Sequence, residues 1–102
     1  MQKYEYGADC GSVAVGNKGF VNLYGNGVGD GSYDVYVDTE IGIDNPDFKE
    51  FVGVAECLKP TYIYAHDCAP FKDIVGVIPS GRYGVYHDNN GNVLFQKWED
   101  YK

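Results

Sequence analysis

The chain has 102 residues, a formal net charge of −7, 14 glycines and 10 tyrosines. This length suits one domain with one core, so we predict a single globular domain over residues 1–102. The composition favours strands and turns over helices. The acidic balance provides no basic patch to neutralise phosphates, which argues against binding to nucleic acid or to an anionic membrane surface.

Cellular location is predicted from the N-terminus and the cysteines. The first residues, Met1 to Gly7, lack the apolar stretch of a secretory signal, and no apolar run is long enough to cross a bilayer. The cysteines, Cys10, Cys57 and Cys68, are odd in number, which fits reduced thiols better than a disulfide framework. We therefore expect a cytoplasmic protein.

In chain order, alternating apolar and polar residues predict seven to nine short strands separated by glycine-rich and asparagine-rich turns. Two turns are typical of hairpins, because Gly and Asn accept positive φ: Gly16-Asn17-Lys18-Gly19 and Asp88-Asn89-Asn90-Gly91-Asn92. The predicted strands cover residues 2–6, 12–15, 20–24, 32–38, 52–54, 61–65, 73–78, 81–88 and 92–98.

The fourth strand has the clearest pattern. Its period of two places Tyr33, Val35 and Val37 on one face, which we predict to be the core face. Asp34, Tyr36 and Asp38 then lie on the opposite face and point outward. At about 3.3 Å per residue, the two aspartates would lie about 13 Å apart.

One segment after this strand is typical of a helix start. Asp44 and Asn45 are capping residues, and Pro46 and Asp47 suit a first turn. We therefore predict a short helix near residues 46–51. The fold class is all-β and mainly antiparallel, a compact sandwich or partly open barrel of seven to nine strands.

The fourth strand has a partial copy later in the chain. The pattern Gly-x-Tyr-x-Val-Tyr-x-Asp occurs at residues 31–38 and 81–88, and an Asp-Cys pair precedes each copy, at residues 9–10 and 67–68. Duplication and convergent strand composition both explain such a match. In either case Tyr36 and Tyr86 occupy equivalent outward positions.

The residues give little support for catalysis or for a metal. His66, Asp67 and Cys68 are the types that a thiol nucleophile needs, but alternation turns Asp67 away from the other two. No Cys-x-x-Cys pair supports zinc, and reading from Asp88 the spacing of a calcium loop is not met. We predict no catalytic residue, no metal ligand and no cofactor.

The charge distribution is the main functional signal. Residues 30–56 hold eight acids and one base, which accounts for the whole net charge of −7. A basic protein surface is the matching partner. We expect a non-enzymatic interaction domain, of which a phage or mobile-element inhibitor of a restriction or CRISPR protein is one form. The residues predicted to bind the partner are Asp30, Asp34, Tyr36, Asp38, Glu40, Asp44 and Asp47.

A second interpretation stays open at this point. Outward tyrosines with neighbouring Asp and Asn residues are also typical of modules that bind a small ligand. Carbohydrate would stack on the rings, and calcium would take oxygen ligands from the Asp and Asn turns.

Overall fold

The computed structural model describes residues 1–17 and 19–100. These residues form nine strands joined by turns and loops, and they contain no helix. The strands follow the predicted order. They are Gln2–Ala8 (β1), Ser12–Asn17 (β2), Phe20–Gly25 (β3), Gly31–Asp38 (β4), Glu50–Cys57 (β5), Thr61–Tyr64 (β6), Ile74–Ile78 (β7), Gly81–His87 (β8) and Val93–Glu99 (β9).

The strands form two sheets that pack face to face. One sheet has five strands in the order β1-β4-β9-β8-β5, and the other has four in the order β3-β2-β6-β7. All neighbours are antiparallel except β4 and β9, which run parallel. The predicted all-β, mainly antiparallel sandwich is confirmed. The described part of the chain contains no helix with the length and hydrophobicity to cross a bilayer.

Both predicted hairpins join strands that pair. β2 pairs with β3, although Lys18 in that turn lies outside the described residues. β8 pairs with β9 across the second turn, where the Asp88 Oδ1 atom accepts the backbone N–H groups of Asn90 and Asn92 at 2.8 and 2.9 Å. The turn thus uses the Asp88 carboxylate to hold its backbone in place.

The core lies between the sheets and uses one face of each strand. Val35 and Val37 are buried there and Tyr33 packs against them, which confirms the predicted core face of β4. Burying each such valine contributes about 1.5–3 kcal/mol. The other core residues are Tyr6, Ala8, Val13, Val15, Ala55, Cys57, Ile63, Ile78, Tyr83, Val85, Val93 and Phe95.

Two tyrosines fill the core while keeping a polar partner for the hydroxyl group. The Tyr6 hydroxyl donates to the Gly91 carbonyl at 2.8 Å, and the Tyr83 hydroxyl donates to the Pro79 carbonyl at 2.7 Å. Burial raises the pKa of both phenols to about 12. Both therefore stay protonated and act as hydrogen-bond donors over the physiological pH range.

The predicted helix at residues 46–51 is wrong. Pro46 and Asp47 form a single turn, closed by a hydrogen bond from the Phe48 N–H to the Asn45 carbonyl at 3.0 Å. Glu50 and Phe51 belong instead to β5, where they pair with His87 and Tyr86. Asp44 and Asn45 therefore precede a turn and do not cap a helix, because sheet pairing outweighs the weak local preference for helix.

A buried carboxylate joins the two sheets at one end of the sandwich. Asp67, in the loop after β6, accepts hydrogen bonds from the backbone N–H groups of Asp9, Cys10 and Ser12 and from the Ser12 hydroxyl, at 2.7 to 3.2 Å. Asp9 and Cys10 lie in the turn between β1 and β2, and Ser12 is the first residue of β2. Because β1 and β2 belong to different sheets, Asp67 holds the chain where it passes from one sheet to the other.

Asp67 should make stability depend on pH in the acid range. Burial by itself raises the pKa of this carboxyl, but its four hydrogen bonds outweigh burial and lower the pKa below the ordinary value of 3.8. A lowered folded-state pKa stabilises the protein fully above the unfolded-state pKa. That stabilisation is lost as the pH falls through the folded-state pKa.

We predict that Asp67→Asn destabilises the protein by about 2–3 kcal/mol at pH 7, because charge-assisted hydrogen bonds to a buried group are lost. The difference from wild type should shrink below about pH 4. Urea denaturation at several pH values measures both effects. Asp73→Asn, at an exposed carboxylate, is the control, and an equal effect of the two substitutions would contradict the assignment.

Candidate interaction surface

The outer face of the five-stranded sheet carries a row of large side chains. The pairing register places Tyr36 of β4 and Tyr86 of β8 on either side of Leu94 in β9, with Phe51 of β5 beside Tyr86. The two tyrosines that the sequence copies place at equivalent positions therefore lie on one surface. The two copies are the strands that flank β9.

Aromatic contacts extend this row across the sheet. The Tyr36 and Phe48 rings are 5.7 Å apart between centroids, and those of Tyr86 and Phe51 are 5.4 Å apart. Phe51 also lies nearly parallel to Trp98, with an interplanar angle of 11° and a centroid separation of 6.0 Å. We call Tyr36, Phe48, Tyr86, Phe51 and Trp98 the aromatic row.

A glycine makes room for the tryptophan. A Cβ atom on Gly84 would lie 2.5 Å from the indole ring of Trp98, well inside van der Waals contact. The bare backbone of β8 at this point lets the indole lie flat on the sheet beside Phe51. Phe51 and Trp98 are respectively 56% and 40% exposed, so much of this aromatic surface is in contact with solvent.

The segment between β4 and β5, residues 39–49, crosses the same face. β4 and β5 are separated in the sheet by β9 and β8, so the connection must pass over both. Asn45 donates to the side-chain oxygen of Gln96, and the Gln96 amide donates to the Glu40 carbonyl at 2.8 Å. This crossing segment covers Leu94 and Gln96, which are almost fully buried on a face that would otherwise be open.

The prediction that Asp38 is exposed to a partner is wrong, although the predicted face of the strand is right. Asp38 is on the outer face of β4, as alternation predicts, but it is only 5% exposed because the crossing segment covers it. Its carboxylate accepts the Glu40 N–H at 3.0 Å and the Asn45 side-chain amide at 3.4 Å. Asp38 therefore anchors the crossing segment, and its carboxylate is not free to point toward a partner.

The other residues predicted to bind a partner differ in exposure. Tyr36 and Asp34 are half-buried, and Glu5 faces Asp34 directly across the β1–β4 pair, so two like charges are neighbours. The crossing segment exposes three of the predicted acids, Glu40, Asp44 and Asp47. Asp30 is exposed in the loop before β4 and is not part of the crossing segment.

A concavity of about 820 Å³ lies beside Trp98 at the edge of β5. Arg82 lies between two carboxylates there, forming ion pairs with Glu56 at 3.2 Å and with Glu99. Tyr24 from the other sheet completes the wall and donates a hydrogen bond from its hydroxyl to the Val54 carbonyl at 3.3 Å. Guanidinium, carboxylate and aromatic side chains therefore line one concavity at the end of the aromatic row.

The candidates for thiol or metal chemistry are elsewhere, near Asp67. Among the described residues, the one group of three possible ligands within 4.8 Å comprises Cys10, Asp67 and Cys68. The four hydrogen bonds already accepted by Asp67 occupy its carboxylate oxygens. His66 is exposed and Asp67 is buried. The prediction that Asp67 also points away from Cys68 is wrong, because the Cys68 thiol lies 3.8 Å from Asp67 Oδ1 and donates to it. Cys57 lies apart in the core.

The residues considered for calcium do not form a ligand group in the described part of the chain. Asp88 uses one carboxylate oxygen for the backbone of its own turn and the other for the Asn92 side-chain amide at 2.9 Å. Asp38 is occupied by the crossing segment. These carboxylates therefore have structural partners within the protein.

Comparisons with protein-family models, with curated proteins and with solved structures found no match for this chain. What the candidate surface binds is therefore inferred from its own side chains. It combines a row of exposed and half-buried rings with the crossing segment, which carries three exposed acids and one base.

Sequence reasoning identified part of this surface. It placed Tyr36 and Tyr86 outward and located the acidic window, but it missed Phe48 and Phe51, which it assigned to a helix. The sequence did contain a signal for Phe51, which directly precedes Val52-Gly53-Val54, the run predicted as a strand. Nothing in the local sequence indicates that Asn45 and Gln96 meet, because they are 51 residues apart.

We predict that Asn45→Ala loosens the crossing segment without unfolding the sheets. Losing its amide bonds to Gln96 and Asp38 should speed amide hydrogen exchange in residues 39–49 about tenfold, since two hydrogen bonds contribute about 1–2 kcal/mol. Exchange measured by mass spectrometry tests this. Asn89→Ala, in an exposed turn, is the matched control, and unchanged exchange in residues 39–49 would count against the anchor.

We also predict that Gly84→Ala displaces the indole of Trp98 from the sheet. Trp98 is the only tryptophan, so its fluorescence reports this site alone. The emission should shift to longer wavelength as the ring becomes more exposed to water. Gly25→Ala is the control, because a Cβ there meets nothing within 4 Å. An unshifted spectrum in a folded Gly84→Ala variant would contradict the packing described.

Proposed function

We propose that this protein is a non-enzymatic interaction domain that engages a basic surface of a partner protein through the outer face of its five-stranded sheet. The observation that carries the proposal is the coincidence of two features on one face. The crossing segment brings Glu40, Asp44 and Asp47 over the same face as the aromatic row.

Aromatic rings and carboxylates together suit arginine and lysine. A cation placed over an aromatic face gains about 0.5–1 kcal/mol at an exposed site, and tryptophan is the best ring for it. Neighbouring carboxylates add pairing that is geometrically specific for the planar guanidinium group. A basic partner would therefore use both components of this surface at once, whereas nucleic acid would be repelled by the acids.

Inhibition of a nucleic-acid-handling protein is one form of this function. The acids that reach solvent would occupy a basic groove and compete with the phosphate backbone there. The carboxylates available for this are Asp30, Asp34, Glu40, Asp44 and Asp47. We place this activity in the cytoplasm, since Cys10, Cys57 and Cys68 are all free thiols.

A second candidate function is supported by the Phe51–Trp98 pair. The two exposed, nearly parallel rings offer apolar surface of the kind on which a sugar ring stacks. A carbohydrate would bind without a strong salt dependence, because stacking and hydrogen bonds to neutral hydroxyls replace charge pairing.

The test uses a labelled nine-residue arginine peptide as the basic probe. We expect Asp47→Lys to weaken its binding about fivefold or more, whereas Asp73→Lys, an identical charge change away from this face, should have a smaller effect. Phe51→Ala should weaken binding about two- to fivefold, because a cation–π contact is lost. Phe20→Ala, at an exposed ring on the other sheet, is its control.

Fluorescence anisotropy from low to high salt measures these affinities, and thermal melts check that each variant folds. Equal losses for Asp47→Lys and Asp73→Lys would mean that net charge alone attracts the peptide, and would overturn the proposal. A rise in melting temperature with oligosaccharides, but none with the peptide, would favour the carbohydrate function instead.

A further inference from the structure

Two cysteines far apart in the sequence face each other at the end of the sandwich. The Sγ atoms of Cys10 and Cys68 are 3.8 Å apart although the residues are 58 positions apart in the chain. Cys10 is exposed and Cys68 is half-buried, so small oxidants in solution reach the pair. A disulfide bond needs a sulfur separation of about 2.05 Å, which requires an approach of somewhat less than 2 Å.

The backbone around both cysteines is already held in place. Asp67, the residue before Cys68, accepts the Cys10 N–H at 2.8 Å and also accepts the N–H groups on either side, from Asp9 and Ser12. The Gly7 N–H donates to the Ala65 carbonyl at 2.6 Å and ties the same two chain segments together. The thiols therefore meet on a fixed backbone, which favours an intramolecular reaction over reaction with another molecule.

The third cysteine, Cys57, differs from the other two in its burial and in its position in the fold. Cys57 is buried in the core with 4% of its surface exposed, and burial raises the pKa of its thiol. It is absent from the group formed by Cys10, Asp67 and Cys68. Cys57 should therefore stay reduced and unreactive under conditions that oxidise the other two.

We infer that Cys10 and Cys68 form a reversible disulfide that links the β1–β2 turn to the loop after β6. The oxidant is a small-molecule disulfide such as oxidised glutathione. The Cys10 thiolate attacks one sulfur of the oxidant, breaks its S–S bond and releases the first thiolate. The deprotonated Cys68 sulfur then attacks Cys10 Sγ and releases the second.

The reaction balances with these reactants alone. The protein dithiol loses two electrons and two protons, and the oxidant disulfide gains them to become two thiols. A reducing dithiol reverses both steps. Cytosolic disulfides that form in this way are usually transient and redox-sensing, which is compatible with free thiols in a reducing compartment.

The order of the two thiols follows from their environments. Cys10 is the more accessible sulfur. The hydrogen bond with Cys10, together with burial and the carboxylates of Asp67 and Asp9, raises the pKa of Cys68 to about 11. Cys68 is therefore slow to become a thiolate, and the second step should speed up as the pH rises.

The disulfide would have a measurable effect on stability. It closes a loop of nearly 60 residues and so restricts the unfolded chain, which raises the melting temperature by about 10 °C or more in a domain of this size. It also joins the turn after β1 of one sheet to the loop between β6 and β7 of the other. Oxidation would therefore lock the end of the sandwich that Asp67 holds by hydrogen bonds alone.

The full chain is treated with oxidised glutathione, and its thiols are counted and mapped by mass spectrometry. We expect wild type to lose two thiols without gaining glutathione, and the digest to contain a Cys10–Cys68 cross-link with Cys57 free. The melting temperature should rise and return after dithiothreitol. Cys10→Ser and Cys68→Ser, both outside the core, should each gain only a glutathione adduct and show no rise.

Three results would overturn the inference. The first is a wild-type protein that keeps all three thiols at a concentration of oxidised glutathione that converts free dithiothreitol to its disulfide. The second is separate glutathione adducts on Cys10 and Cys68 without a cross-link, and the third is cross-linked dimers in place of the intramolecular bond. If the Cys68→Ser variant gains its glutathione adduct faster than the Cys10→Ser variant does, the proposed order of the two thiols is supported.

Discussion

The carboxylate of Asp67 is the interaction on which the arrangement of the two sheets depends. A buried charge is tolerated only where hydrogen bonds replace its lost hydration, and here three backbone N–H groups and one hydroxyl do so. Those donors belong to the turn in which the chain leaves the five-stranded sheet for the four-stranded one, and to the first residue of β2. Asp67 therefore holds this turn in place between the two sheets. The closeness of Cys10 and Cys68 is a direct consequence.

The order of strands in the larger sheet explains the candidate surface. Because β9 and β8 lie between β4 and β5, the acidic connection has to cross the outer face of the sheet. Asp38, Asn45 and Gln96 satisfy one another beneath it, so part of the acidic window is structural. The remaining acids stay at the surface beside rings that the strand register has aligned. Charge and aromatic surface are therefore combined by topology, although they come from separate parts of the sequence.

Sequence periodicity was sufficient for the strands and for one face of each. The alternation in β4 correctly separated Val35 and Val37 from Asp34 and Tyr36, because side chains in a strand alternate between faces whatever the strand packs against. It failed for Asp38 because alternation assigns a side chain to a face but cannot tell whether another segment covers that face. The helix prediction failed for a related reason. The capping preferences near Pro46 contribute little free energy. Glu50 and Phe51 pair with β8, which is distant in the sequence, so local preferences do not predict this pairing.

The sequence by itself determined the fold class, the approximate strands, the two hairpins and the position of the excess acid, since each depends on residues that are neighbours in the chain. Tertiary structure alone decided which residues meet across the fold. It placed Tyr36 and Tyr86 on either side of Leu94, laid the crossing segment over Gln96, and brought the two Asp-Cys pairs together at the end of the sandwich. The physical reason is that strand order and sheet packing depend on the combined burial of many distant side chains, and no local stretch contains that information.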